Sequence, residues 1–219
     1  MSRYHKDRSD WYTILSRIMN PLFTREDFDK FLERHKEKIK FYRKHIAGSR
    51  ILDIGCGFGY TAIPLSNLGY NITALEIDPK ILSATRQNVK TFGKNMHLIR
   101  ADAFSIDSIF RQDSFDACIS GGLLEHFKPD EIRELVRKQL ILAPVVIADV
   151  PIWSDKTSIE DQYLDFEKRI GRDGIYRNLW DRDYWIEDLL KEFNIKYNNV
   201  GISSKHTGNF EKLTVVIER

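Results

Sequence analysis

Apolar positions along this chain keep two different periods. From Trp11 to Met19, and again from Glu26 to Ile46, they recur every three or four residues; in the second stretch Phe28, Phe31, Leu32, His35, Ile39, Tyr42 and Ile46 form one stripe. This spacing predicts two amphipathic helices parted by the turn signal Asn20-Pro21, with the stripe against a core and the Lys and Arg residues in solvent. At Arg50 the period shortens. Arg50–Ile54 reads as a strand running into glycines, a helix follows over about Tyr60–Asn67, and Gly69 stops it.

Strands and helices then alternate. Asn71–Ile77, Met96–Ala101, Phe115–Ser120 and Val145–Val150 are predicted strands; Asp78-Pro79 caps and opens one helix, and Pro129–Leu140 forms another. Repeated β-α units with short connections predict a parallel sheet covered on both faces, which is a doubly wound α/β arrangement. After Pro151 comes a polar, aromatic segment, Trp153–Asp181, followed by a predicted helix, Arg182–Phe193, and two closing strands, Lys196–Ser203 and Lys212–Glu218. The segment follows a strand's carboxyl end, where ligand-binding loops of such sheets lie.

Composition mainly excludes. With 42% hydrophobic and 30% charged residues the chain has the make-up of an ordinary globular protein. Its longest apolar stretch, Leu140–Val150, is interrupted by Asp149 and falls short of the ~20 residues that span a bilayer, while Met1–Asp10 lacks the apolar run of a secretory signal. No stable membrane insertion is expected. Two cysteines in apolar surroundings, Cys56 and Cys118, argue against a disulfide framework and for a cytoplasmic setting. A net charge of +2 conceals a basic first fifty residues and an acidic remainder. A basic arm attracts phosphate-bearing partners; mixed charge on an amphipathic helix is more often a solvated face.

The chemistry is concentrated at the first strand. Ile51-Leu52-Asp53-Ile54-Gly55-Cys56-Gly57-Phe58-Gly59 sets a G-x-G-x-G turn between a strand and a helix, seventeen residues before Glu76 at the end of the next strand. Glycines let backbone pass close to a ligand, and a carboxylate ending the second strand can accept both hydroxyls of a ribose, so a nucleoside cofactor is expected. A dinucleotide fingerprint would need a further glycine where Tyr60 stands. Asp53 would repel a pyrophosphate but suit a cationic sulfonium bearing an amino group.

Over about residues 48–150 the sequence resembles the class I S-adenosylmethionine-dependent methyltransferases. The turn containing Asp53, Gly55, Cys56 and Gly57 is similar to that family's first motif, whose backbone contacts the methionine part of the cofactor. The resemblance further implies that Glu76 holds the ribose hydroxyls beside Ile77, and that Asp102 and Ala103 meet the adenine. Phe115–Phe127, which includes the expected cofactor contact Gly121 and ends in Leu124-Glu125-His126-Phe127, is similar to the fourth-strand motif. The expected architecture is thus a Rossmann-like, mostly parallel seven-stranded sheet with an N-terminal helical extension and an insertion after strand five. We expect one domain over 1–219, comprising a helical cap (1–47), a cofactor-binding core (48–150), a substrate-cover insertion (151–186) and a closing helix with strands (187–219).

Methyl transfer from a sulfonium is an in-line displacement, so the protein chiefly aligns the reactants, and a base is needed only for a protonated acceptor. His126 is the candidate base or substrate contact, the alternative being a local role in orienting its loop. Glu125 and His126 have no further ligand at metal-binding spacing, and no metal is expected. Asp149 either faces the substrate or caps the turn before Pro151. Tyr163, Tyr176, Trp180, Tyr184 and Trp185 pack a cover or line a planar, apolar or cationic acceptor site. Trp11 and Tyr12 are expected to form a flap over the cofactor. The expected acceptor is a small or lipid-like molecule; the alternatives are RNA or protein reached through the basic N-terminal region, and a non-catalytic cofactor-binding partner.

Overall fold

The computed structural model describes residues 11–152, 163–165, 170–171, 177–178, 180–202 and 211–219. Among these, the strands are β1 (Arg50–Ile54), β2 (Asn71–Glu76), β3 (Met96–Arg100), β4 (Ala117–Gly121), β5 (Val145–Ile152), β6 (Tyr163–Asp165), β7 (Ile170–Gly171), β8 (Asn194–Ile202) and β9 (Glu211–Glu218). Seven of them form one sheet in the order β3-β2-β1-β4-β5-β9-β8, while β6 and β7 pair separately. β1 to β5 are parallel, β9 is antiparallel to β5, and β8 is antiparallel to β9. Strand order reverses between β1 and β4, so the chain leaves these neighbours in opposite directions and a crevice opens at their carboxyl ends.

Both faces of the sheet are covered, which explains the unbroken apolar runs of the strands. Leu52, Ile54 and Cys118 face a cluster containing Ile132, Leu135 and Val136 of α6 (Pro129–Leu142). Ile51, Ile119, Ile147 and Val216 face Tyr42 of α2 (Arg25–His45), its C-cap Ile46, and Ala62 and Leu65 of α3 (Ala62–Asn67). Thr24 caps α2 through reciprocal bonds with Asp27. The stripe of α2 docks as its spacing predicts, with Phe28, Tyr42 and Ile46 buried. Lys38 departs from the expectation that every basic residue faces solvent: it sits one turn before Tyr42 and reaches inward to Asp149. The outward Arg25, Lys30, Lys36 and Lys40 pair with acids one turn away on the same helix.

Three departures from the expected elements have a structural cause. The helix expected from Tyr60 starts at Ala62, because Gly59 turns the chain at a φ of 88°. β5 continues through Pro151 to Ile152, drawn on by its pairing with Leu213, Lys212 and Glu211 of β9. The helix expected over Arg182–Phe193 is wound as a π-helix at Tyr184–Leu189, and the Leu190 N–H donates back to the Trp185 carbonyl at 3.0 Å. The wider turn buries Trp185, Ile186, Leu189 and Leu190 together. Trp180 packs on Tyr184 and Trp185 with ring centroids 4.6 and 5.3 Å apart, so these aromatics serve the core. Most of Trp153–Asp181, including Tyr176 and the side chain of Tyr163, lies outside the described residues. Among the described residues no helix is long and apolar enough to cross a membrane.

The segment joining α1 (Trp11–Ile18) to α2 is tied to the glycine turn by one side chain. Asn88 of α4 (Pro79–Phe92) accepts from the Phe23 N–H at 3.0 Å and donates to the carbonyls of Pro21 at 2.9 Å and Phe58 at 3.1 Å. Asn88 is 2% exposed, so truncating it leaves one backbone donor and two acceptors unpaired in the interior. Asn88→Ala is expected to lower the unfolding free energy by about 2–4 kcal/mol, read from urea denaturation.

Candidate active site

β1 ends in a tight turn whose backbone is held open. Gly55 and Gly57 adopt φ of 69° and 53°, left-handed values that side chains disfavour. A methyl group placed on Gly57 meets nothing within 4 Å, so this backbone lines free space. The turn is pinned from behind: Cys56 N donates to the Leu75 carbonyl at 2.9 Å, and Thr85 Oγ1 donates to the Gly57 carbonyl at 2.6 Å.

Glu76 closes β2 beneath this turn. Its Oε2 accepts from Gly57 N at 3.2 Å, and its Oε1 from Ile77 N at 2.8 Å and Asp78 N at 2.9 Å. Burial raises its carboxyl, opposed by those three N–H groups. Ala101 N donates to the Glu76 carbonyl at 3.3 Å and brings the next stretch alongside. There Asp102 caps the short turn Ala103–Ser105 by accepting from Phe104 N at 3.0 Å, and Ala103 is half-buried on that turn. Asp53, Gly55, Cys56, Gly57, Glu76, Ile77, Asp102 and Ala103 are thereby gathered at the carboxyl ends of β1, β2 and β3.

Strand alternation puts Asp53, Gly121 and Asp149 on the α2 face, in line with Ile51, Ile119 and Ile147. Gly121 pairs with Asp149, and a methyl group on Gly121 would lie 3.7 Å from Asp149 Oδ2 and 3.8 Å from Lys38 Nζ. The Lys38 ammonium thus lies over the strand ends beside Gly121. Lys38 Nζ is 2.5 Å from Asp149 Oδ2, Tyr42 Oη donates to the same oxygen at 2.8 Å, and Thr214 Oγ1 donates to Oδ1 at 2.6 Å. Burial alone would raise the Asp149 carboxyl; Lys38, Thr214 and Tyr42 overcome it and hold the group below its ordinary value.

Asp53 has no such cage. It is 3% exposed, its Oδ2 has no hydrogen-bond partner, and burial pushes its carboxyl up to about 7; Lys38 opposes the rise and Glu76 adds to it.

Beyond Gly121 the chain turns at Gly122 and forms the short turn Leu124–His126. His126 is 9% exposed, with Trp11 of α1 edge-on to its ring at 4.9 Å and Glu125 Oε1 3.7 Å from its Nε2. Tyr12 meets Phe58 edge-on at 5.9 Å, so α1 bridges the glycine turn and the β4 turn. Lys212 of β9 stays reachable by solvent, but crowding by protein and the Lys38 charge lower its ammonium, with Asp149 and Glu125 opposing. Among the described residues no group of three His, Cys, Asp or Glu is arranged to hold a metal ion. Sequence reasoning missed Lys38, Tyr42, Lys212 and Thr214 as parts of this site. For Lys38 a signal existed, since it stands four residues before Tyr42 on the buried stripe.

The folded protein holds the Asp53 proton up to about pH 7, whereas an unfolded chain releases it near pH 3.8, the ordinary value of the group. The stabilising contribution is full in acid and is lost as pH rises through 7. Asp53→Asn is therefore expected to stabilise the ligand-free protein by about 2 kcal/mol or more at pH 8, and much less at pH 5. Thermal melts at the two pH values check this.

Residues 51–140 match the family described as a methyltransferase domain. The ubiquinone biosynthesis O-methyltransferase of Rickettsia typhi is 26% identical over 198 residues, covering 80% of this chain and 76% of that protein. Among solved structures, a protein from Pyrococcus horikoshii OT3 aligns with a TM-score of 0.69 at 18% identity, covering 97% of this chain and 99% of that one. Magnesium protoporphyrin IX methyltransferase from Synechocystis PCC 6803 aligns with a TM-score of 0.66 at 15% identity, covering 96% and 95%. Its sheet order, its glycine turn and these likenesses together support a class I S-adenosylmethionine-dependent methyltransferase.

Proposed function

We propose that this protein transfers the cofactor's methyl group to a hydroxyl oxygen of a small molecule, and that the carboxyl-edge residues described above form its cofactor site. The observation that carries the reading of the site is the pairing of an open glycine backbone with buried acids. Gly57 offers backbone to a ligand, Glu76 offers carboxylate oxygens to a ribose, and Asp53 is an unpaired acid beside Gly121 that suits the cofactor's cationic methionine end. Asp102 and Ala103 are then the adenine contacts, with Ile77 beside the ring. α1 and α2 act as a cap, and the 151–186 segment covers the acceptor. Relatives named as O-methyltransferases support an oxygen acceptor. The self-paired charges of α2 support a small molecule over RNA or an acidic protein, because four cations of that helix are held by acids of the same helix. Two buried thiols suit a cytoplasmic setting.

Two measurements test this reading. Calorimetric titration with S-adenosylhomocysteine should give saturable binding, weakened roughly tenfold or more by Glu76→Ala, equivalent to ~1.5–3 kcal/mol of charge-assisted hydrogen bonds. Absence of binding to well-folded protein would refute it. Below about pH 7 the free protein holds a proton on Asp53 that a cationic ligand must expel. Affinity for S-adenosylmethionine should therefore fall by up to about tenfold per pH unit on acidification, with a shallower slope in Asp53→Asn.

A further inference from the structure

The turn after β4 carries an acid that neither the fold nor the cofactor site uses. Glu125 is 3% exposed, yet among the described residues no group donates to its Oε2. Its Oε1 lies 3.7 Å from His126 Nε2 and would be 3.5 Å from a methyl group on Gly122, so the glycine leaves space between this carboxylate and the end of β4. The backbone around it is fixed. Asn178 donates to the Glu125 carbonyl from its N at 2.8 Å and its Nδ2 at 3.1 Å, and its Nδ2 also reaches the Phe127 carbonyl at 2.6 Å.

Charged groups reach Glu125 from three other elements. Arg177, in the segment before the π-helix, and Lys212 of β9 favour its ionised form, whereas Asp149 of β5 disfavours it; burial dominates and lifts the carboxyl to about 7. A buried carboxylate with an unpartnered oxygen is costly to a fold, typically several kcal/mol, and the residue's own backbone N–H offsets only part of that cost here. A rigidly mounted acid that exchanges its proton near neutrality has the properties of a general base.

We propose that Glu125, rather than His126, is the catalytic base of this site, taking the proton of the acceptor hydroxyl as its oxygen attacks the cofactor's methyl carbon. This rests on reading the chain as an O-methyltransferase. The acceptor O–H bond breaks and its proton passes to a Glu125 carboxylate oxygen. The oxygen's electron pair forms the new O–CH3 bond, and the C–S bond breaks with its pair passing to sulfur, which becomes a neutral thioether. Glu125 then returns the proton to water. His126 is a positioning residue, held between the Trp11 ring and Glu125 Oε1.

The test measures kcat against pH with catechol and 3,4-dihydroxybenzoate as probe acceptors and S-adenosylmethionine saturating at every pH, which removes the contribution of Asp53 to cofactor binding. The wild type should lose rate on the acid side of about pH 7. Glu125→Gln should lose roughly 10²–10⁴-fold in kcat, lack that acid limb and bind S-adenosylhomocysteine within about twofold of wild type. Glu125→Asp, and likewise His126→Gln, should keep the limb at a reduced rate; if Glu125→Gln fails to fold, the Glu125→Asp and His126→Gln profiles decide. Retention of the limb and of kcat by Glu125→Gln, parallel loss of cofactor affinity and turnover in that variant, or disappearance of the limb in His126→Gln each overturns the assignment while leaving O-methylation intact. A wild type that binds S-adenosylhomocysteine but methylates neither phenol overturns the O-methyltransferase reading, and this inference with it.

Discussion

Asp53, Glu76, Glu125 and Asp149 are buried along the carboxyl edge of the sheet, and the cost of holding charge away from water shapes the contacts around them. Each is compensated differently. Glu76 accepts three backbone N–H groups, and Asp149 receives an ammonium and two hydroxyls. Asp53 and Glu125 are left with unpaired oxygens and carboxyls raised to about 7. The first pair stabilises the loop and the helix that enclose the crevice. The second is where the free protein is least satisfied and therefore has most to gain from a cationic ligand or a transferable proton.

This arrangement makes α2 part of the site rather than an appendage. Lys38 and Tyr42 both end on Asp149 Oδ2, so the helix docks by a polar contact as well as by its apolar stripe. Asn88 fixes the preceding segment to the glycine turn, and α1 then lies with Tyr12 on Phe58 and Trp11 on His126. Enclosure matters for methyl transfer because alignment and exclusion of water supply most of what the protein adds to an already activated methyl group.

Much of the fold was legible because strand and helix periods are local properties. All seven strands of the large sheet lie within a few residues of their predicted positions, and the glycine turn and Glu76 stand together at the ends of β1 and β2 as their spacing predicts. Boundaries failed where a neighbour decides them: β5 ran past Pro151 because β9 lay beside it, and the Arg182–Phe193 helix was rewound to bury Trp185 with Ile186 and Leu189. In the site, His126 drew attention as a residue type that titrates near neutrality. Glu125 was weighed only as a metal ligand, because the shift that brings it to about 7 comes from burial, which a sequence does not display.

By itself the sequence determined the order of elements, the left-handed glycines at the end of β1 and the acid at the end of β2, since each follows from residue type and short-range spacing. Only the tertiary structure decided that Lys38 turns inward to Asp149 beside Gly121, and that Thr214 and Tyr42 complete that cage from elements far apart in the chain. The physical reason is that a carboxylate's protonation and partners depend on the dielectric and the charges within a few ångströms, and those neighbours are set by packing across the sheet.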